Sequence, residues 1–338
     1  MLRGIAIVAV VAIHAIPWQY YQKYGYMSYR QLLNFCVPMF FFMSGYWMAQ
    51  KTIGTLKEYG LFLRKRFLRI LVPYVFWSFV YIGYEVVKTH EISMAQVLQK
   101  LLTGQACFPT NHLYFIVVIA QFYSLTPLLM FINRKKYLII LVILFNMIWL
   151  YILNSIRLSG YWSCYNQHFL VHGPFYSWIV FYQVGLLIGG LHKKLFVQRK
   201  FLLFILPAIL VSLAISAIDA IYILSAYRDW QTAACFLRYS SFLYSFCVIF
   251  GFLALRNHIR TWPKFLVLLG KYSFGIYLMH MIILRGIVRA LQNAQTLYSF
   301  QPLYEFIVVS MTLLGCCAVI AISRKILPRP VYGRVLGF

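Results

Sequence analysis

Residues 201–224 read FLLFILPAILVSLAISAIDAIYIL, twenty-four positions with a single charged side chain, Asp219. A helix needs about 20 mostly apolar residues to cross the hydrocarbon core of a bilayer, which is roughly 30 Å thick. This stretch meets that requirement, and it is not alone. Comparable apolar runs occupy 2–18, 31–50, 67–87, 112–132, 137–154, 174–192, 234–255, 265–284 and 302–323. The pattern predicts an all-α, polytopic membrane bundle of about ten transmembrane helices, a single domain over 1–338. Whole-chain composition agrees, at 62% hydrophobic and 11% charged residues over 338 positions, where a soluble domain carries roughly 25% charged. Disorder, collagen-like repeats and a disulfide-stapled secreted fold are excluded by the same figures.

The formal charge of +25 invites a nucleic-acid reading, but its distribution argues for topology instead. Alternate loops hold 22 of the 31 Lys and Arg residues in one set: Arg3, Lys51 to Arg69, Arg134 to Lys136, Lys193 to Lys200, Arg256 to Lys271 and Arg324 to Arg334. The other set holds nine. By the positive-inside rule the rich set faces the cytoplasm, which puts both termini inside, as an even number of spans requires. No nucleic-acid partner is expected.

The longer breaks, 88–111, 155–173 and 285–301, then fall outside. Several are aromatic, as in Trp18-Gln19-Tyr20-Tyr21 and Tyr161-Trp162-Ser163-Cys164-Tyr165. Such clusters serve as interfacial belts or as faces on which sugar rings rest. Seven cysteines show no C-x-x-C pairing; only Cys107 and Cys164 lie in outside loops, where a disulfide is conceivable. His168 and His172 stand four apart, without the acid of an H-E-x-x-H metal motif.

Ionisable groups inside a span are costly, so each is a functional candidate. Arg3 and His14 lie eleven residues apart, which is three turns and about 16 Å on one helix face. This sets a cation at the cytoplasmic entrance and a base deep on the same face. Arg66 and Arg69, at i and i+3, share a face at the cytoplasmic end of the third span. Paired guanidinium forks suit a di- or triphosphate. His112 opens the fourth span at a depth similar to His14. In the ninth, Ser273, Tyr277 and His280 form a polar stripe, which also serves to join helices. Among six acids, Glu85 and Asp219 read as the two membrane-depth carboxylates, and either suits a His–acid dyad.

Taken in order, these segments resemble the acyltransferase 3 family of bacterial multi-span O-acyltransferases. The first is Leu2-Arg3-Gly4 through Ile13-His14, an Arg, ten residues, then His. The second is Arg66-Phe67-Leu68-Arg69 with Pro73-Tyr74 close behind. His112-Leu113-Tyr114-Phe115 is similar to an H-L-W-F segment, with Tyr114 in place of Trp. Phe181 to Gly189 and Ser273 to His280 resemble later family segments. The family pattern also has an Asp two or three residues before the first-span Arg; here only Met1 and Leu2 precede Arg3, so the native start is expected further upstream.

The resemblance implies transfer of an acyl group, commonly acetyl from acetyl-CoA, to a hydroxyl of an extracytoplasmic glycan at the bacterial inner membrane. It makes His14 the catalytic base and Arg3, Arg66 and Arg69 contacts for acyl-CoA, a co-substrate. An imidazole's ordinary pKa near 6.5 suits a base at neutral pH. Glu85, Asp219 and His112 are its candidate helpers. The competing expectation is an exporter or flippase for a polysaccharide or lipid-linked sugar. Such transporters are often built from inverted repeats, and this sequence has no visible repeat.

Overall fold

The computed structural model describes residues 1–51, 53–89, 92–106, 111–159, 172–191, 199–256, 258–259, 261–291 and 300–338. Among them there are helices and no strand. In chain order they are α1 (Leu2–Ala15), α2 (Tyr24–Leu32), α3 (Cys36–Met48), α4 (Leu56–Thr89) and α5 (Met94–Thr103). Next come α6 (Tyr114–Ser124), α7 (Thr126–Asn133), α8 (Lys136–Leu158), α9 (Ile179–Gly190) and α10 (Arg199–Tyr227). The last are α11 (Trp230–Ala233), α12 (Tyr239–Arg256), α13 (Lys264–Lys271), α14 (Ser273–Leu291) and α15 (Gln301–Ile326).

Each of the ten apolar runs is built around one or two of these helices. By length and composition six are able to cross a membrane: α4, α8, α10, α12, α14 and α15. The α6–α7 pair makes a seventh if counted as one span; it bends by 65° between Ser124 and Thr126. The expected ten full-length spans therefore resolve into six long helices, a bent pair and the shorter α1, α3 and α9. At 14 residues, α1 rises only about 21 Å, less than the hydrocarbon thickness. The chain is a multi-pass membrane protein.

Position in the bundle follows from which helices expose apolar surface. On α8 and α10 large side chains such as Leu144, Ile148, Phe204 and Leu210 are exposed, which is the lipid-facing arrangement. By contrast α1 is buried almost all round, through Ala6, Ile7, Val10, Val11 and Ile13. It runs through the middle of the molecule. Its start is pressed against α13: a Cβ on Gly4 would lie 2.0 Å from the Leu266 carbonyl oxygen, so only glycine fits there. Helices α3 and α9 meet in the same way. A Cβ on Gly45 would collide with the Tyr182 backbone, and one on Gly185 with Phe42. Small residues at such crossings let two backbones touch, which is how membrane helices gain van der Waals contact without a hydrophobic drive.

At 34 residues, α4 is about 51 Å long and overreaches the hydrocarbon core by some 20 Å. That length allows its N-terminal turns, which lead up to Arg66 and Arg69, to project beyond the hydrocarbon core. Pro73 inside α4 cannot donate a backbone hydrogen bond, which releases the Arg69 carbonyl from the helix ladder. The C-terminal segment packs there: Trp77 Nε1 donates to the Leu336 carbonyl at 3.2 Å. Arg3, Gly333, Gly337 and Phe338 border the same cavity, so the first and last described segments share one end of the bundle. Outside the bundle, α5 has a Ser93–Gln96 capping box and a left-handed Gly104 at its C-terminus. Met94, Leu98 and Leu102 are exposed along one stripe, the pattern of a helix lying in the membrane interface.

Candidate active site

A cavity of about 730 Å³ runs alongside α1, with walls from α1, α4, α6, α8 and α14 among others. Ligand pockets typically enclose about 300–1,000 Å³. Four cations border one end: Arg3, Arg66, Arg69 and Lys271. His14 stands deeper on the face of α1 that carries Arg3, and beyond it the walls include Arg30, Arg157, His172 and Trp230.

The cationic end is assembled by close packing rather than by ion pairs. Contact of Gly4 with the Leu266–Gly270 segment brings Arg3 beside Lys271. Arg66 lies over the rings of Phe62 and Tyr123, at 5.6 and 5.5 Å from their centroids. Stacked on two aromatic faces, the guanidinium is oriented while its N–H fork remains available.

Three imidazoles gather at the depth of His14: its own and those of His112 and His280. The His14 ring centroid is 5.4 Å from that of His280 and 6.1 Å from that of His112; the latter two are 4.8 Å apart. His280 Nδ1 lies 2.8 Å from the Tyr277 carbonyl oxygen, so Nδ1 carries the proton and Nε2 is the basic nitrogen. The preceding residue, Asn111, has φ 46°, a left-handed conformation that asparagine tolerates better than most. It turns the chain so that His112 enters the cluster before α6 begins. Tyr277 Oη donates to the His112 carbonyl, tying α14 to this turn. Ser273 Oγ donates to the Gly270 carbonyl at 3.1 Å, stitching the α13–α14 joint. Both hydroxyls border the cavity, yet each is engaged in holding backbone. Among the described residues no group of three or more His, Cys, Asp or Glu is arranged to hold a metal ion.

A family model described as an acyltransferase domain, that of the acyltransferase 3 family, matches residues 1–322. The chain belongs to this family. Similar curated relatives include the "Probable poly-beta-1,6-N-acetyl-D-glucosamine export protein" of Staphylococcus aureus strains MRSA252 and N315. Each is 24% identical over 307 residues, covering 85% of this chain and 79% of the relative. No solved structure matches the chain.

Within this acyltransferase 3 protein the expected site residues divide cleanly. His14, His112, Arg3, Arg66, Arg69, Ser273 and Tyr277 border one cavity, while His280 is not in its wall and packs against His14 and His112. The two carboxylates do not join them. Glu85 is bound by Lys100, whose Nζ lies 2.9 Å from both oxygens. Asp219 accepts from Arg238 at 2.6 Å and from Ser240. Each carboxylate is drawn to the nearest cation, so the expected His–acid dyad is replaced by a histidine cluster. A third carboxylate inside an apolar run, Glu305 on α15, went unrecognised; it is 6% exposed and lies away from the cavity walls. Arg30 and Arg157, two of the nine cations in the sparse loop set, also border the cavity. Their signal was position: each closes a helix at the edge of an apolar run. Cys107, Cys164 and His168 lie outside the described residues.

Proposed function

We propose that this acyltransferase moves an acyl group, acetyl by preference, from cytoplasmic acyl-CoA to a hydroxyl of an extracytoplasmic glycan or lipid-linked saccharide. The carrying observation is a single cavity that has four cations at one end and His14 three helical turns deeper, and that continues past His14. In this reading Arg3, Arg66, Arg69 and Lys271 hold the CoA phosphates, and the pantetheine arm lies along α1 towards His14. The acceptor comes from the opposite side.

His14 then takes the proton of the acceptor hydroxyl as its oxygen attacks the thioester carbonyl. The tetrahedral intermediate collapses with loss of the CoA thiolate, which receives the proton from the imidazolium. The products are an O-acyl ester and free CoA. His112 walls the reacting group, with His280 packed against it and against His14, and this keeps water from competing for the thioester. Ser273 and Tyr277 serve as struts. The setting proposed is the bacterial inner membrane, with the rich set of Lys and Arg on the cytoplasmic side.

The name of the staphylococcal relatives favours a second reading, export of a saccharide. An exporter needs a path wide enough for the whole chain and makes no stoichiometric use of acyl-CoA. The experiment that separates the two uses oriented vesicles with labelled acetyl-CoA on the cytoplasmic side and an acceptor glycan on the other. Label on the glycan is the expected result. Glycan crossing the membrane unlabelled would replace acyl transfer by export.

A further inference from the structure

The segment that follows α15 lies beyond residue 322, where the family match ends, yet it borders the cavity. After α15 the chain passes Pro328 and Pro330 and enters a π-helical turn, Val331–Val335. The Leu336 N–H donates to the Val331 carbonyl at 3.1 Å, and the Phe338 N–H to the Tyr332 carbonyl at 2.9 Å. Hydrogen bonding of this kind is rare and needs support from its surroundings.

Three helices give that support. From α4, Trp77 Nε1 donates to the Leu336 carbonyl. Gly337, at φ 81°, turns the chain inward, a left-handed conformation that glycine adopts without steric cost. A Cβ there would meet Leu278 of α14 at 2.9 Å, and Phe274 of α14 and Pro73 of α4 at 3.1 Å. The Phe338 ring then fills the space that Gly275 leaves open on α14: a Cβ on Gly275 would lie 2.5 Å from Cδ1 of that ring. From α15, Arg324 donates to Tyr272 Oη. Its guanidinium lies 5.3 and 5.6 Å from the Tyr272 and Tyr332 ring centroids, which ties the segment to the α13–α14 joint.

Register along α14 gives the depth of Phe338. Lys271 marks the cationic end just before α14 begins, and Gly275 lies in its first turn. His280 stands five residues further, about 7.5 Å of rise. Gly333, Gly337 and Phe338 border the cavity together with Ser273, Phe274 and Tyr277. A donor arm running from the cations to His14 therefore passes the level of Phe338. An apolar ring suits the methyl and methylene groups of such an arm, and glycine backbones beside it leave the passage open.

We propose that residues 331–338 form a wall of the acyl-donor passage, and that Phe338 is the ring against which the pantetheine arm lies. The proposal rests on the acyl-CoA reading of the cavity. It adds to that site a donor-binding element from outside the family-matched part of the chain.

The test is cysteine labelling of the full-length protein in nanodiscs. Each site is read by peptide mass spectrometry, so the native cysteines do not interfere. Phe338→Cys is labelled with a maleimide in the presence of desulfo-CoA, which carries the arm without a competing thiol. A parallel sample holds 3′-phospho-ADP, which lacks the arm. Arg329→Cys, exposed and outside the cavity wall, is the control. Saturating desulfo-CoA should slow labelling at 338 about five-fold or more, 3′-phospho-ADP should slow it less than about two-fold, and neither should protect 329. Where Phe338→Cys fails to fold, Gly333→Cys takes its place, since a Cβ there meets nothing within 4 Å. Binding of desulfo-CoA to the wild-type protein is measured in parallel by calorimetry. Desulfo-CoA that binds without protecting, equal protection by both ligands, or protection that extends equally to 329 overturns the proposal and leaves the acyl-CoA reading standing. Desulfo-CoA that does not bind overturns that reading and the proposal with it.

Discussion

The two ends of the cavity carry the same kind of charge but hold it in different ways. At the end with Arg3, Arg66 and Arg69, Arg3 and Arg69 are exposed and Arg66 is half-buried on two aromatic rings. At the other end Arg30 and Arg157 are buried, and Arg30 is locked by a chain of amides that ends at the Arg238–Asp219 pair. Exposed cations on flexible stems adapt to a ligand that arrives and leaves from water, and they cost little when empty. Buried guanidiniums are stiff and expensive, so they suit a partner that must be set in one orientation. The difference separates a docking end from a positioning end, with His14 between them.

The sharpest way to break this division is to remove the residue where the ends meet. In His14→Ala both ends keep their cations, so CoA affinity should stay within about two-fold. Transfer should fall about a hundred- to ten-thousand-fold, the range over which a positioned general base acts. Envelope-glycan acetylation in cells making equal amounts of each form, read by mass spectrometry, checks it. Near-normal acetylation would remove the base from His14.

Which parts of this arrangement were legible beforehand follows from the range of the interactions that make them. The docking end is written locally: Arg3 and His14 share one helix face by spacing alone, and Arg66 and Arg69 stand one turn apart. The apolar runs are equally local, and all ten became helical. Their lengths were less readable, because α1, α3 and α9 are ended by chain turns at Ile16, Ala49 and Leu191 rather than by loss of apolar character. The positioning end was not legible. Arg30 meets Phe236, and Gln31 meets Arg238, some two hundred residues away in the chain. Only tertiary packing turns those isolated loop cations into a pair. The same applies to Glu85 and Asp219, whose partners, Lys100 and Arg238, come from neighbouring elements that depth along a helix does not reveal.

A second experiment sharpens the docking end. Arg66→Ala and Arg69→Ala each remove one charged fork while leaving the buried outer arginines alone. Loss of a charge-assisted hydrogen bond costs about 1.5–3 kcal/mol, or roughly ten- to a hundred-fold in affinity. Calorimetry with CoA in detergent should register that loss in both variants. Unaltered CoA affinity in both would place the nucleotide at another surface.

The smallest effect is expected at Glu85, and its smallness is the point. If a carboxylate must orient the catalytic imidazole, Glu85→Gln should be nearly as damaging as loss of His14. The geometry argues otherwise. Glu85 is held 2.9 Å from Lys100 by a side chain on α5, with 24% of the carboxylate side chain and 18% of the lysine exposed. A pair mostly shielded from solvent exceeds the roughly 0–1 kcal/mol of an exposed one, but neither residue borders the cavity. Glu85→Gln should therefore leave acyl transfer within about two-fold and lower the unfolding free energy by about 1–3 kcal/mol. What it should alter is the hold of α4 on α5, so proteolysis within 92–106 should quicken while turnover stays level. A loss of turnover comparable to that in His14→Ala, with α5 still protected, would instead make Glu85 part of the site and put a charge relay in place of the three-histidine cluster.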